Sequence, residues 1–372
     1  MRLALQALLI AGLLCVFAPR AEAYPQFQFS TGNTRCTLCH FSPTGGGLIT
    51  EWGRDEAADT ISRGGDGRFL YGLWDTPEWL ELGADYRGAF GVRDTEAAEI
   101  DLLGFPMQAD VYSRMEFGDF KINTTIGLRG SPRARNPPVT SRVYARELYA
   151  MWQPKITGAY ARVGRFFAPY GLRQPDHTSY IRRDLGYYAW EETLGASGGY
   201  LKDDWELHVS AFTRDPIVQV GFQGHGAAIM YEKRFADDKA AWGAQGKVQL
   251  APDSTQYWGG GTLKYWFGSL DLLLLTELDL GVRDVDVPGS DAILHGIAHV
   301  NLTHFITQGL MVGTTLEAKH GDLNLRGKDS EAATLNLQYF PRAHWEVHLL
   351  GRYERTRNTR DLLSLLMLHY YL

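Results

Sequence analysis

The chain has 372 residues, with 37 lysines and arginines against 43 aspartates and glutamates; its net charge of −6 and lack of a basic block argue against a nucleic-acid partner. Hydrophobic residues make up 45% and aromatics 12%, which excludes a disordered chain. So long a chain outgrows an ordinary single core, which leaves a barrel or a multidomain array.

The first residues read as an export signal. Arg2 precedes an apolar run from Leu3 to Ala18, and Ala21-Glu22-Ala23 has the small-x-small form of a cleavage site. The run is shorter than the roughly 20 residues of a membrane-spanning helix. Residues 1–23 are therefore expected to be a signal peptide, with the mature chain starting at Tyr24-Pro25. Farther along, the longest apolar stretch, Leu270 to Leu280, is broken by Asp271, Glu277 and Asp279 and cannot be a transmembrane helix.

Cys15 leaves with the signal peptide, so Cys36 and Cys39 are the cysteines of the mature chain, and His40 follows directly. Cys36-Thr37-Leu38-Cys39-His40 has the spacing of c-type haem attachment. Two thiols so spaced reach the two vinyl groups on one edge of the macrocycle, and the next residue brings an imidazole to the iron. Two other readings use the same residues. A zinc site wants four ligands, and neither a third mature cysteine nor a nearby second histidine exists. An exported pair of thiols can also form a disulfide. The haem reading absorbs the histidine as well as the cysteines, and residues 24–76 are expected to form a monohaem domain with one covalent haem c. The glycine run Gly45-Gly46-Gly47 lacks the lysine of a phosphate loop and reads as a turn after the motif.

The sixth iron ligand is not local. Between Tyr24 and Pro106 there is no methionine, no lysine and no histidine besides His40. The candidates are the free amine of Tyr24, a residue from the rest of the chain such as His208, His348, Met367 or His369, or an open position. Such an amine titrates near pH 8, low enough for iron to displace its proton. Tyr24-Pro25-Gln26-Phe27 also resembles the start of cytochrome f, where the terminal amine ligates iron.

From about Pro77 the pattern has a period of two. Leu80, Leu82, Ala84, Tyr86, Gly88 and Phe90 share one face, and Glu81, Asp85 and Arg87 the other. About 16 such segments follow, near 79–91, 107–117, 120–130, 143–153, 158–166, 192–201, 205–214, 225–235, 240–251, 256–267, 269–282, 291–305, 308–320, 330–340, 344–356 and 361–372. Links after even-numbered segments are short, and those after odd-numbered ones (92–106, 131–142, 167–191, 215–224, 283–290) are mostly long. Short periplasmic turns alternating with long external loops are the mark of an antiparallel outer-membrane β-barrel. A soluble β-sandwich would also alternate in hydrophobicity but does not require one-sided loops. The last segment ends with Leu366, Leu368, Tyr370 and Leu372 on one face, similar to the signal read by the outer-membrane assembly machinery. Parity aims Glu206, His208, His295, His299, His344, Glu346, His348, Arg352, Glu354, Met367 and His369 into the lumen. Segment 167–191, with Arg173, Asp176, His177, Arg182, Arg183, Asp184 and the aromatics Tyr170, Tyr180, Tyr187, Tyr188 and Trp190, is a lid, a constriction loop or a surface loop. Asp94, Glu96, Glu99, Asp101, Asp284 and Asp286 fall in expected external loops and would attract cations or keep the surface hydrated.

Pro25-x-Phe27, Thr31-Gly32, the Cys36 to His40 motif, Leu48 and Gly53-Arg54, followed by a barrel of about 16 strands, resemble the fused monohaem cytochrome–porins of iron-oxidising bacteria. The motifs span about 24–55; the architecture spans the mature chain. Three residues, Asn33 to Arg35, separate Thr-Gly from Cys36 where the family has two, and Ser42-Pro43 with the glycine run also departs from it. The resemblance implies electron transfer across the outer membrane, from an extracellular donor such as Fe(II) to a periplasmic cytochrome, with the haem segment entering from the periplasmic side. The alternative is a solute-transporting porin whose haem is structural or sensory, or which carries no haem and uses its N-terminal segment as a plug.

Overall fold

The computed structural model describes residues 24–96, 100–128, 143–154, 158–186, 191–213, 224–285 and 291–372. Glu99, Asp286, Tyr187, Tyr188 and Trp190 lie outside them.

Sixteen strands close into one antiparallel barrel, each paired with its sequence neighbours and the first with the last. They are β1 (Leu80–Thr95), β2 (Asp101–Phe117), β3 (Phe120–Leu128), β4 (Val143–Trp152), β5 (Ala159–Phe166), β6 (Thr193–Leu201), β7 (Trp205–Thr213) and β8 (His225–Phe235). The second half holds β9 (Ala240–Ala251), β10 (Ser254–Phe267), β11 (Leu272–Val285), β12 (Ile293–Thr307), β13 (Leu310–His320), β14 (Asp329–Arg342), β15 (Trp345–Thr356) and β16 (Arg360–Tyr371). The seam runs from Asp85 opposite Tyr371 to Thr95 opposite Asp361. Closure leaves no edge strand, so every strand finds partners on both sides.

Alternation decides the faces. In β11, Leu278 and Leu280 point outward and are exposed, whereas Leu273, Leu275, Glu277 and Asp279 point inward and are buried. The outer face is apolar on strand after strand, through residues such as Val111, Ile126, Val163, Val209, Leu316 and Leu335. Phe117, Phe120, Trp152, Phe235, Phe267 and Trp345 are exposed beside the short turns and form an aromatic belt at that end.

Two expectations need correction. The link expected over 92–106 shrinks to 96–100, because β1 and β2 continue as a hairpin with Arg93 opposite Asp101. Asp94 and Asp101 therefore belong to strands. The links after β9 and β15 are short, at 252–253 and 357–359, as their segment bounds implied. His344 is not a lumenal strand residue. It sits in the turn between β14 and β15 with φ 72°, buried beside Tyr71 and Tyr371.

Residues 167–186 fold into the lumen as a constriction. Ser179 precedes a short helix, Tyr180–Leu185, closed by Gly186 at φ 109°. Phe167, Tyr170, Leu172, Tyr180, Ile181 and Leu185 pack on Trp258, Leu273, Leu275 and Ile297 of the wall. Polar ties surround this contact: the Tyr170 hydroxyl donates to Asp279 (2.8 Å), the Leu172 amide to Glu277 (2.7 Å) and the Tyr180 amide to Glu317 (2.8 Å).

Candidate functional site

The N-terminal segment enters through the end bearing the short turns. Gln308, between β12 and β13, donates to the carbonyls of Asp59 and Ser62, both at 2.7 Å. The Ala343 amide donates to the Gly64 carbonyl (3.0 Å), and the Arg63 amide to the Phe340 carbonyl (3.1 Å). Deeper in the lumen, Lys264 donates to Gln28 (2.7 Å) and Arg162 to Ser42 and Thr44 (3.5 and 3.3 Å). Arg173 of the inserted loop donates to the Gly45 carbonyl. The segment and the loop thus approach from opposite ends and meet.

Local sequence explains the shape of the motif. Cys36–Cys39 is one helical turn, which puts the two cysteines on one side. The His40 amide closes that turn on the Cys36 carbonyl (2.8 Å), and His40 itself is extended. Gly45, Gly46 and Gly47 all take φ near +70° and reverse the chain, so that His40 bridges Ile49. Thr50 then caps the helix Glu51–Glu56, accepting from the Gly53 amide at 3.0 Å. That helix lies flush on the motif: a Cβ at Gly53 would stand 2.5 Å from the Cys39 carbonyl oxygen.

Cys36, Cys39 and His40 line one cavity. Residues Gly171 to Arg173 of the inserted loop close one side, and Glu206, Met230, Lys264, His369 and Tyr371 of the barrel form the wall. Both thiols are free. Burial, with Glu206 nearby, pushes the Cys36 thiol up to about 11; burial, with Glu56 nearby, pushes Cys39 up to about 12. Neither has the low pKa of a redox-active dithiol. Burial, then Arg173, lowers His40 to about 4 against the opposing Gly47 backbone, so its imidazole stays neutral. Its Nδ1 is buried without a hydrogen-bond partner. Among the described residues, no group of three or more histidine, cysteine, aspartate or glutamate side chains converges as a metal site. Two free cysteines, a neutral histidine and one shared cavity are the residues that a covalently attached haem would use.

The candidates for the sixth ligand separate. Tyr24, whose candidate donor is its amine, and His369 line this cavity, and the side chains of both are engaged. The Tyr24 hydroxyl donates to Glu346 (2.6 Å) and accepts from Arg87 (2.8 Å). His369 uses Nδ1 toward Glu346 (2.7 Å) and Nε2 toward Asp85 (2.8 Å). His208 lies outside the cavity, between Tyr160 (2.9 Å) and Glu206 (3.4 Å). His348 is paired with Asn336 (2.8 Å), and Met367 packs on Ala89, Leu350 and Leu365. Both border a second pocket, with Gln174 to Ser179 of the inserted loop. Met230 was not among the sequence candidates, although its parity with Glu232 and Arg234 in β8 would have put it in the lumen.

The fold defines a class, the closed antiparallel barrels of outer-membrane proteins. No family model matches the sequence, and no curated protein matches it. Solved structures share the architecture. The outer-membrane-expressed OmpT of Vibrio cholerae superposes with a TM-score of 0.60 at 11% identity, covering 80% of this chain and 99% of its own. The outer membrane channel DcaP of Acinetobacter baumannii gives 0.59 at 14% identity, covering 79% and 97%. OprB of Pseudomonas putida gives 0.57 at 10% identity, covering 79% and 94%. At such identities the likeness is one of fold.

Proposed function

We propose that the chain is an outer-membrane electron conduit, with one haem c held at Cys36 and Cys39 and ligated by His40 inside the barrel. The observation that carries this reading is placement: the attachment motif faces a cavity within the lumen, enclosed by the N-terminal segment, the inserted loop and the wall. Haem bound there would supply a one-electron carrier cycling between ferrous and ferric iron. The rest is the work of the chain. Cys36 and Cys39 fix the ring's edge, His40 offers a neutral imidazole, and the helix Glu51–Glu56 braces the motif. The barrel keeps lipid away. The apolar band of such membranes is about 25 Å tall, so a carrier inside it shortens the path from either face. An extracellular donor such as Fe(II) and a periplasmic cytochrome are the partners that the family resemblance suggests.

The fold likeness to a channel protein favours a second reading, a solute porin with a structural or sensory haem. Against it stands the lumen, occupied from both ends by segments that meet at Arg173 and Gly45. Membrane fractions should show a haem band that survives denaturation, and Cys36→Ser with Cys39→Ser should abolish it. A band that persists in the double variant refutes the attachment site.

A further inference from the structure

We propose that the Met230 thioether is the sixth ligand of this haem, an inference that rests on the haem reading above. The argument is one of availability. Most donor side chains that the barrel presents to the cavity are already committed. His369 has both ring nitrogens engaged, by Glu346 and Asp85. Asp85 is held in turn by His369, and Glu206 by Arg234 (3.3 Å) and His208 (3.4 Å). Lys264 is tied to Glu232 and Gln28, both at 2.7 Å. Recruiting any of these to iron would strip a buried partner of its hydrogen bond, which costs about 1–3 kcal/mol and more for a charged group.

Met230 has no hydrogen bond to lose. It faces the lumen from β8, opposite His208 of β7 and Gln245 of β9, and borders the same cavity as Cys36, Cys39 and His40. A thioether is neutral and polarizable, so it binds iron without bringing a charge into the barrel. Tyr371 also borders the cavity, with its hydroxyl tied to the His344 backbone. Its phenol would have to shed a proton to bind iron, and its ring is packed against His344 and His369 (5.8 and 5.1 Å). Histidine–methionine ligation raises the reduction potential relative to ligands that favour ferric iron, which suits a carrier that accepts electrons from a weak reductant.

The test uses the full chain, purified with its haem, and compares the wild type with Met230→Leu and Met230→His. Leucine keeps the volume, so the barrel and the covalent haem band should survive. The ferric spectrum of Met230→Leu should lose its sulfur-to-iron charge-transfer band, its potential should fall, and the ferrous form should gain the ability to bind carbon monoxide. Met230→His should restore a six-coordinate spectrum at a lower potential than the wild type. An unchanged spectrum and potential in Met230→Leu overturn the assignment and direct attention to Tyr371 or the Tyr24 amine. A wild type with no covalent haem instead refutes the haem reading itself, and the denatured-gel band tells the two failures apart.

Discussion

The inserted loop can be released without touching the barrel's own pairing. Ile181 and Leu185 are each 1% exposed and seat the short helix against Leu273, Leu275 and Ile297. Replacing both with alanine removes six buried carbons, about 5 kcal/mol of apolar contact at roughly 0.8 kcal/mol each. The nearby ion pairs, Arg183 with Glu354 and Lys319 with Asp184, are partly exposed and add only about 0–1 kcal/mol apiece. The apolar contact is what these two substitutions remove, and its loss shifts the docked-to-undocked ratio by about three to four orders of magnitude. In planar bilayers the wild type should conduct poorly, while Ile181→Ala with Leu185→Ala should open larger, flickering steps. Heat-dependent gel mobility should show both barrels folded. A double variant with wild-type conductance, or a wild type that already conducts as an open pore, would refute the claim that this loop closes the lumen.

Other outcomes follow from the same geometry. Gly53→Val should reduce the yield of covalent haem, since its Cβ would meet the Cys39 carbonyl at 2.5 Å; the haem absorbance per folded barrel measures this. Gly309→Val should loosen the N-terminal segment at the mouth, because Gly309 has φ 79° and a Cβ there would stand 2.5 Å from Arg63 Cγ. Limited proteolysis should then cut between Asp59 and Asp66 sooner than in the wild type. A tag in the loop 321–328 should be labelled on intact cells, and one in the turn 236–239 should not; labelling of the second inverts the topology.

The barrel was legible because each strand repeats one rule. A period of two with apolar residues on the outer face marked sixteen segments, and strands such as β7 and β9 lie within a residue or two of their expected bounds. Strand ends were harder where hydrogen bonding carries a hairpin past its hydrophobic pattern, as in β1 and β2. The inserted loop was left open among three readings, although a signal existed. Leu273, Leu275 and Ile297 are apolar at lumenal parity, where a water-filled wall would be polar, and they are the seat of Tyr180 and Ile181. The motif at Cys36 to His40 was plain from spacing, but its distant neighbours were not. Which lumenal residue shares its cavity depends on how far the N-terminal segment reaches up the barrel, and no local pattern encodes that depth. Met230 and His208 face each other across β8 and β7 and have the same parity, yet only Met230 borders the cavity.

The most direct test of the conduit is electron transfer across a sealed membrane. Vesicles carrying the full chain should reduce an enclosed acceptor when Fe(II) is added outside, and Cys36→Ser with Cys39→Ser should stop this while the barrel stays folded. Equal reduction by the haem-free variant would contradict the account and show a leak through a pore.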